Sequence, residues 1–142
     1  MFKEAINDLV ATIKTVTGFT ADSVVRGEPG KINQVKKNTC IVMPDFDSTE
    51  SLSGDAGELA KSAKFVATCF VCCASEKKLS DAEDIALDLL EAVITKVEET
   101  EKLISMGGNQ KYCKWETGRI EWHDRSASLT IISVDFSINL QL

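Results

Sequence analysis

The 142-residue sequence lacks most of the residues and runs that usually identify an enzyme, a membrane protein or a fibrous chain. It has a single histidine, His123, and no serine in the Gly-x-Ser-x-Gly context of a hydrolase nucleophile. With only two prolines and eight glycines, it is neither collagen-like nor of low complexity. Its apolar runs are far shorter than the roughly 20 residues that span a bilayer, and its first residues lack the apolar core of a signal peptide. We therefore expect neither a membrane-spanning segment nor an export signal.

Composition and charge indicate one globular domain that does not bind nucleic acid through a basic surface. A length of 142 residues is typical of one domain, so residues 1–142 are expected to fold as a unit. The net charge of -6 and the isoelectric point near 4.8 oppose phosphate binding, which requires a basic face. Five cysteines, an odd number in a chain without an export signal, predict reduced thiols. No cofactor is predicted.

Hydrophobic periodicity predicts two helices. In residues 2–16, apolar side chains recur every three or four positions, and Gly18 follows the last of them. The second helix begins with Ser80 and Glu83, the Ser-x-x-Glu pattern of a capping box, which predicts Ser80 as the N-cap. Its predicted buried stripe is Ala82, Ile85, Ala86, Leu89, Leu90, Val93, Ile94 and Val97.

Apolar runs and alternation predict the strands. Residues 40–43 form a short buried strand, and residues 63–74 have the composition of a central strand covered on both faces. Residues 117–123 alternate weakly and predict the first strand of a closing hairpin. Residues 132–142 alternate strictly, so one face should be buried and the polar one exposed. Extended from 129 to 142, this strand would measure roughly 45 Å, so it should bend or project beyond its domain.

These elements together predict an α+β fold, with two helices packed on a mostly antiparallel β-sheet that has a long C-terminal strand. Between the first two predicted strands lies a long polar insertion, residues 44–61, which concentrates acidic residues and has no basic residue before Lys61. Such loops are uncommon in compact domains and usually functional or disordered. Its acidic residues are Asp45, Asp47, Glu50, Asp55 and Glu58. Because their spacing is not that of a calcium-binding EF-hand, a solvated loop is the preferred interpretation.

The remaining candidate groups do not form a complete catalytic or metal-binding set. Cys69 and Cys73 share one face of their predicted strand and Cys40 could join them, but such thiols more often fill a core. His123 is interpreted as a residue at the end of a strand. We therefore expect no metal site and no enzyme active site.

Two further patterns bear on assembly. The segment Gly27-Glu28-Pro29-Gly30 lacks the spacing of a phosphate-binding loop and predicts a turn. Trp115 and Trp122 flank the closing hairpin and are candidate interface aromatics, with core packing as the alternative. Long loops and exposed edge strands are means by which small domains associate with their own copies.

The elements follow one another in a recognisable order: helix 2–16, the turn at 27–30, strand 40–43, the acidic insertion, strand 65–73, the helix after Ser80 and the alternating strand 132–142. In this order the sequence resembles the tail terminator and tail-completion proteins of long-tailed bacteriophages, of the minor tail protein U type, and their relatives in phage-tail-like bacteriocins. The resemblance covers nearly the whole chain.

The resemblance implies a structural virion protein and not an enzyme. Copies of the chain would form a ring, expected to be a hexamer, that caps the tail tube, ends its polymerisation and provides the joint to the head. Its partners would be the tail tube protein and the head–tail connector proteins, with no membrane involved. It would be assembled in the bacterial cytoplasm and located in the virion tail.

DNA would pass through this ring without specific binding. Because acidic groups repel phosphate, we expect Asp45, Asp47, Glu50, Asp55 and Glu58 at the lumen or at the rim that faces the tube; a loop that orders only on docking is the alternative. Two other functions stay open. One is a head–tail connector or neck protein of the same stack. The other is a small cytosolic metal- or ligand-binding domain that uses Cys69, Cys73 and His123.

Overall fold

The computed structural model describes residues 2–27, 38–51, 62–74, 79–100, 113–124 and 129–141. Two helices, α1 (Phe2–Lys14) and α2 (Leu79–Glu99), cover one face of a six-stranded sheet. The strands are β1 (Val24–Arg26), β2 (Thr39–Pro44), β3 (Glu50–Ser51), β4 (Ser62–Ala74), β5 (Cys113–Asp124) and β6 (Leu129–Gln141). The predicted α+β fold is confirmed. Neither helix combines the length and hydropathy that a bilayer-spanning segment needs, within the residues described.

The sheet is mostly antiparallel and mixed at one edge. Its order is β1-β2-β4-β6-β5, and only the β1–β2 pair is parallel. The short strand β3 pairs with β4 on the same edge of β4 as β2 does. The sequence pattern missed β1 and β3, because strands of three and two residues are too short to show periodicity.

Helix α1 is amphipathic, as predicted, and packs on the sheet through Ala5, Ile6, Leu9 and Ile13. The chain beyond it turns at Gly18, where φ is +112°. A Cβ atom there would lie 2.7 Å from Leu89 Cδ2 of α2. Glycine therefore permits both the backbone conformation and the close approach of this turn to the Leu89 side chain.

Helix α2 confirms most of the predicted buried stripe and corrects two details. It begins at Leu79, so Ser80 lies inside the first turn and the predicted N-cap position is wrong. The first N–H groups of a helix have no intrahelical acceptor, so its start can shift by a residue at little cost. Ile85, predicted to be buried, is 38% exposed. It lies beyond the arc of the helix that faces the sheet.

Strand β6 lies inside the sheet, between β4 and β5. All 13 of its residues pair with β4, and β5 pairs along its other edge. The predicted buried positions Ile132, Val134, Phe136, Ile138 and Leu140 are confirmed. Because every residue of β6 pairs with β4, the strand does not project from its domain, and bending stays a prediction. The predicted exposure of Ser133 and Ser137 is wrong: both are buried because neighbouring strands on both sides shield small side chains.

Candidate functional site

The first part of the acidic insertion is a turn fixed to the middle of β4. It connects β2 and β3, which follow one another along the same edge of β4. Where the turn leaves the sheet, the Asp45 N–H donates to the Val66 carbonyl oxygen at 2.8 Å. Where it returns, the Val66 N–H donates to Thr49 Oγ1 at 3.1 Å. A side-chain hydroxyl thus takes the place of a strand partner, so both backbone groups of Val66 stay satisfied.

Hydrogen bonds inside the turn hold its shape. The Asp45 carboxylate accepts from the Ser48 N–H at 3.3 Å, which is the local bonding that favours aspartate in turns. Thr49 Oγ1 donates to the Asp45 carbonyl oxygen at 2.7 Å, and the Thr49 N–H donates to the Phe46 carbonyl oxygen at 3.4 Å. The Thr49 hydroxyl is therefore both a donor and an acceptor, and it ties the turn to itself and to β4.

This anchored turn displays an aromatic side chain. Phe46 is 73% exposed, the largest exposure among the big apolar side chains described, and Asp47 beside it is also exposed. A shallow cavity of about 380 Å³ lies next to the turn, lined also by Met43, Thr68 and Phe70. Burying an exposed Phe is worth roughly 1.5–3 kcal/mol, so the turn offers a partner substantial binding energy. We call residues 45–50 the Phe46 turn.

The structure corrects the expectation of an unpaired, structureless acidic loop for the residues of the insertion that it describes. Residues 50–51 form β3, and Glu50 lies opposite Lys64 with 3.4 Å between Oε1 and Nζ. Glu50 therefore has a basic partner. This partner could not be recognised within the insertion because Lys64 lies beyond it. Asp55 and Glu58 lie outside the described residues.

The acidic charge is also less concentrated in the insertion than the sequence suggested. Helix α2 has one lysine, Lys96, and seven carboxylates, against five in the insertion. These residues are Asp81, Glu83, Asp84, Asp88, Glu91, Glu98 and Glu99. All seven lie at exposed or half-exposed positions, so the helical layer presents a negative surface to solvent.

The four cysteines whose side chains the structure describes lie in the interior. Cys40, Cys69 and Cys73 belong to the core between the sheet and the helices, which confirms that they share a face, and Cys72 is buried on the opposite face. Burial raises the pKa of Cys73 to about 12, with a further contribution from Cys40. Burial likewise raises the pKa of Cys72 to about 12. Both thiols are therefore protonated at neutral pH, whereas nucleophiles and metal ligands are thiolates.

The structure bears on only some of the other predicted groups. No group of three His, Cys, Asp or Glu residues suited to a metal ion occurs in the described part of the chain. Trp115 is 42% exposed, so it is only partly covered by the fold. Trp122 and His123 lie in β5, and their side chains are outside the description.

One polar contact on the sheet face away from the helices was not anticipated. Thr68 Oγ1 donates to Asp135 Oδ1 at 2.6 Å, linking the two central strands. Asp135 appears in the sequence only as one polar residue of an alternating strand, and its partner is 67 residues away. Phe46 lies in the polar insertion, but its sequence alone does not show that a hydrogen-bonded turn holds the ring in solvent.

Comparison of the sequence with models of known protein families finds no match, and neither does a search among curated proteins. Function therefore has to be inferred from the geometry of the chain itself. The fold defines an α+β sheet with one helix-covered face, and its most distinctive surface feature is the Phe46 turn.

Proposed function

We propose that this chain is a structural assembly protein of the tail-terminator and tail-completion type, which forms a ring at the end of a phage or phage-like tail tube. The proposal is supported by the helices and strands of the resemblance, which occur in the expected order from α1 to β6; most of the turn at 27–30 and part of the insertion lie outside the described residues. The observation that carries the proposal is the Phe46 turn, an exposed aromatic side chain on a rigid acidic support.

The exposure of Phe46 favours one of the two positions expected for the acidic residues. In a lumen, acidic groups repel DNA, but a phenylalanine held in water contributes nothing to that task. At a protein contact the same ring loses its water and becomes an anchor, while the acidic groups around it form a polar rim. We therefore assign the Phe46 turn to the rim of the ring that faces the tail tube protein.

The partner chemistry follows from this assignment. The matching surface on the tube protein is an apolar pocket bordered by basic groups, because Asp45 and Asp47 flank the aromatic ring. Such charge complementarity mainly sets orientation and association rate, whereas the buried ring supplies affinity. The opposite end of the ring would meet the head–tail connector proteins.

The test uses purified chain and the tube protein of the same tail. Electron microscopy should reveal rings with a hole wide enough for duplex DNA, and adding them during tube polymerisation should limit tube length. Phe46→Ser should abolish the effect on tube length. Ile85→Ser, which changes another exposed apolar residue on the helical layer, should not.

The same experiment separates the alternatives. Rings that leave tube length unchanged would favour the head–tail connector function instead. A chain that neither forms rings nor affects tubes would contradict the proposal.

A further inference from the structure

The cavity beside the Phe46 turn is lined by two strands and by the turn itself. Met43 of β2 lies directly opposite Thr68 of β4, and Phe70 follows Thr68 on the same face of β4. The other lining residues are Pro44, Phe46 and the two aspartates beside it. A volume of about 380 Å³ is near the small end of the range of ligand sites, so the cavity suits a single side chain.

The polar side chains of this lining offer hydrogen-bond acceptors. Because Thr68 donates its hydroxyl proton to Asp135, its oxygen can only accept a further hydrogen bond. The ionised carboxylates of Asp45 and Asp47 are acceptors as well. Asp45 already accepts from the Ser48 N–H, whereas Asp47 is exposed and receives no hydrogen bond from the described residues. A ligand that binds here must therefore be a donor.

The cavity is also negatively charged. Asp45 and Asp47 contribute two carboxylates, and Asp135 lies one hydrogen bond behind Thr68. None of the described residues that line the cavity is basic. Hydrogen bonds between a cationic donor and a carboxylate are about twice as strong as those between neutral groups. The complementary ligand is therefore a donor that carries a positive charge.

We propose that this cavity binds an arginine side chain of the partner that the Phe46 turn contacts. The planar guanidinium group stacks on aromatic faces, and Phe46 is 73% exposed. Its five N–H donors match a lining of acceptors, while its aliphatic stem covers Met43 and Phe70. A lysine ammonium is a compact, strongly hydrated charge, so it gains less from an aromatic wall.

The source of the arginine rests on the proposed function, in which the partner is the tail tube protein, whereas the chemistry of the cavity does not. One face of the Phe46 ring stacks on the arginine, and the rest of the ring enters the apolar pocket of the partner. The basic border of that pocket supplies the arginine. The contact is then reciprocal, which fixes the orientation of the two proteins.

The cavity has its shape before a partner binds. Hydrogen bonds of Asp45 and Thr49 with the backbone of Val66 hold the turn to β4. Thr68 is held by Asp135, and β4 lies between β2 and β6. Binding therefore requires little ordering of the chain, which favours even a small ligand.

The probe for this site is Nα-acetyl-arginine amide, which presents the side chain without a partner protein. Added to the full chain labelled with ¹³C at the methionine methyl groups, at low ionic strength, it should shift the Met43 signal with a dissociation constant of about 1–10 mM. The citrulline analogue has nearly the same shape but no charge, and should bind at least about tenfold more weakly. The lysine analogue should bind about threefold more weakly.

Two single variants test the two parts of the site. Phe46→Leu keeps an apolar side chain but removes the aromatic face, and Asp47→Asn removes the charge at constant size. Each should weaken binding of the arginine probe about two- to fivefold. Phe46→Tyr retains the aromatic face and should bind as the wild type does. Asp84→Asn, which neutralises an exposed carboxylate of α2, is the matched control and should also bind unchanged.

A probe that leaves the Met43 signal unchanged would overturn the inference. So would equal binding of the citrulline or lysine analogue, or undiminished binding by both Phe46→Leu and Asp47→Asn. The titration needs neither rings nor tail tubes, so its failure is distinguishable from failure of the proposed function. Rings that limit tube length without binding the probe contradict only the arginine site, whereas a chain that binds the probe but forms no rings contradicts only the proposed function.

Discussion

The two faces of the sheet are built differently. The face under α1 and α2 is closed by an apolar core to which β2, β4 and β6 contribute buried side chains. On the opposite face, the described residues form a small apolar cluster around Ile41, Cys72 and Ile131, and beside it lie the Thr68–Asp135 hydrogen bond and the Lys64–Glu50 ion pair. The first face supplies the stability of the fold. The second carries the polar contacts between strands, and the Phe46 turn lies beside it at Thr68 and Phe70.

The largest loss of stability is expected at a phenylalanine on the helix-covered face. Truncating one phenylalanine on each face tests how the two faces differ. Phe136 is fully buried on the helix side, so Phe136→Ala should lower the free energy of unfolding by about 3–5 kcal/mol. Phe70 is half-buried on the other face, and Phe70→Ala should cost less than about half as much. Urea denaturation of both variants measures the difference, and equal losses would contradict the comparison.

Cys72 and Cys73 lie on opposite faces of the sheet, but both are buried, so we expect them to affect stability at high pH to the same extent. Burial raises the folded pKa values of Cys72 and Cys73 from 9.0 to about 12, so the contribution of these two thiols to stability is constant below about pH 9 and falls between about pH 9 and 12 as the unfolded thiols ionise. Each thiol should contribute a slope of about 1.4 kcal/mol per pH unit above pH 9. Unfolding titrations of Cys72→Ala and Cys73→Ala should each lose that part of the slope. A slope unchanged in only one variant would show that the two faces do differ in water access.

The polar face should show a smaller, local effect. Thr68→Val removes the donor to Asp135 while keeping the size and branching of the side chain, and should lower the free energy of unfolding by about 1–2 kcal/mol. Thr68→Ser retains the hydroxyl and should recover most of this loss. If Thr68→Ser loses stability while Thr68→Val does not, the methyl contact and not the hydrogen bond stabilises the strand pair.

The smallest effect is expected at the Phe46 turn. Glu50→Ala removes an exposed ion pair with Lys64 and should change stability by no more than about 0.5 kcal/mol. Thr49→Val, which removes the hydroxyl that links the turn to β4, should cost more. Denaturant midpoints of the two variants rank the contributions. A larger loss in Glu50→Ala would mean that charge and not backbone anchoring holds the turn.

Much of the fold was predictable because its main elements have strong periodicity. The alternation of residues 132–142 identified the buried face of β6, and the spacing in α1 identified its core side chains. The sequence does not show which strands and side chains lie next to one another in the sheet. The burial of Ser133 depends on β6 being central, and the pairing of Glu50 depends on Lys64 in another strand. Of the candidate site, the acidic residues were recognisable, but the exposure of Phe46 depends on hydrogen bonds between residues 45 and 66.

The most direct test of the central claim is an electron cryomicroscopy reconstruction of the assembled ring bound to a tail tube. The account predicts that Phe46 is buried against the tube protein, with Asp45 and Asp47 at the margin of that contact. A ring in which the Phe46 turn lies on the outer wall, away from the tube and from every neighbouring subunit, would contradict it.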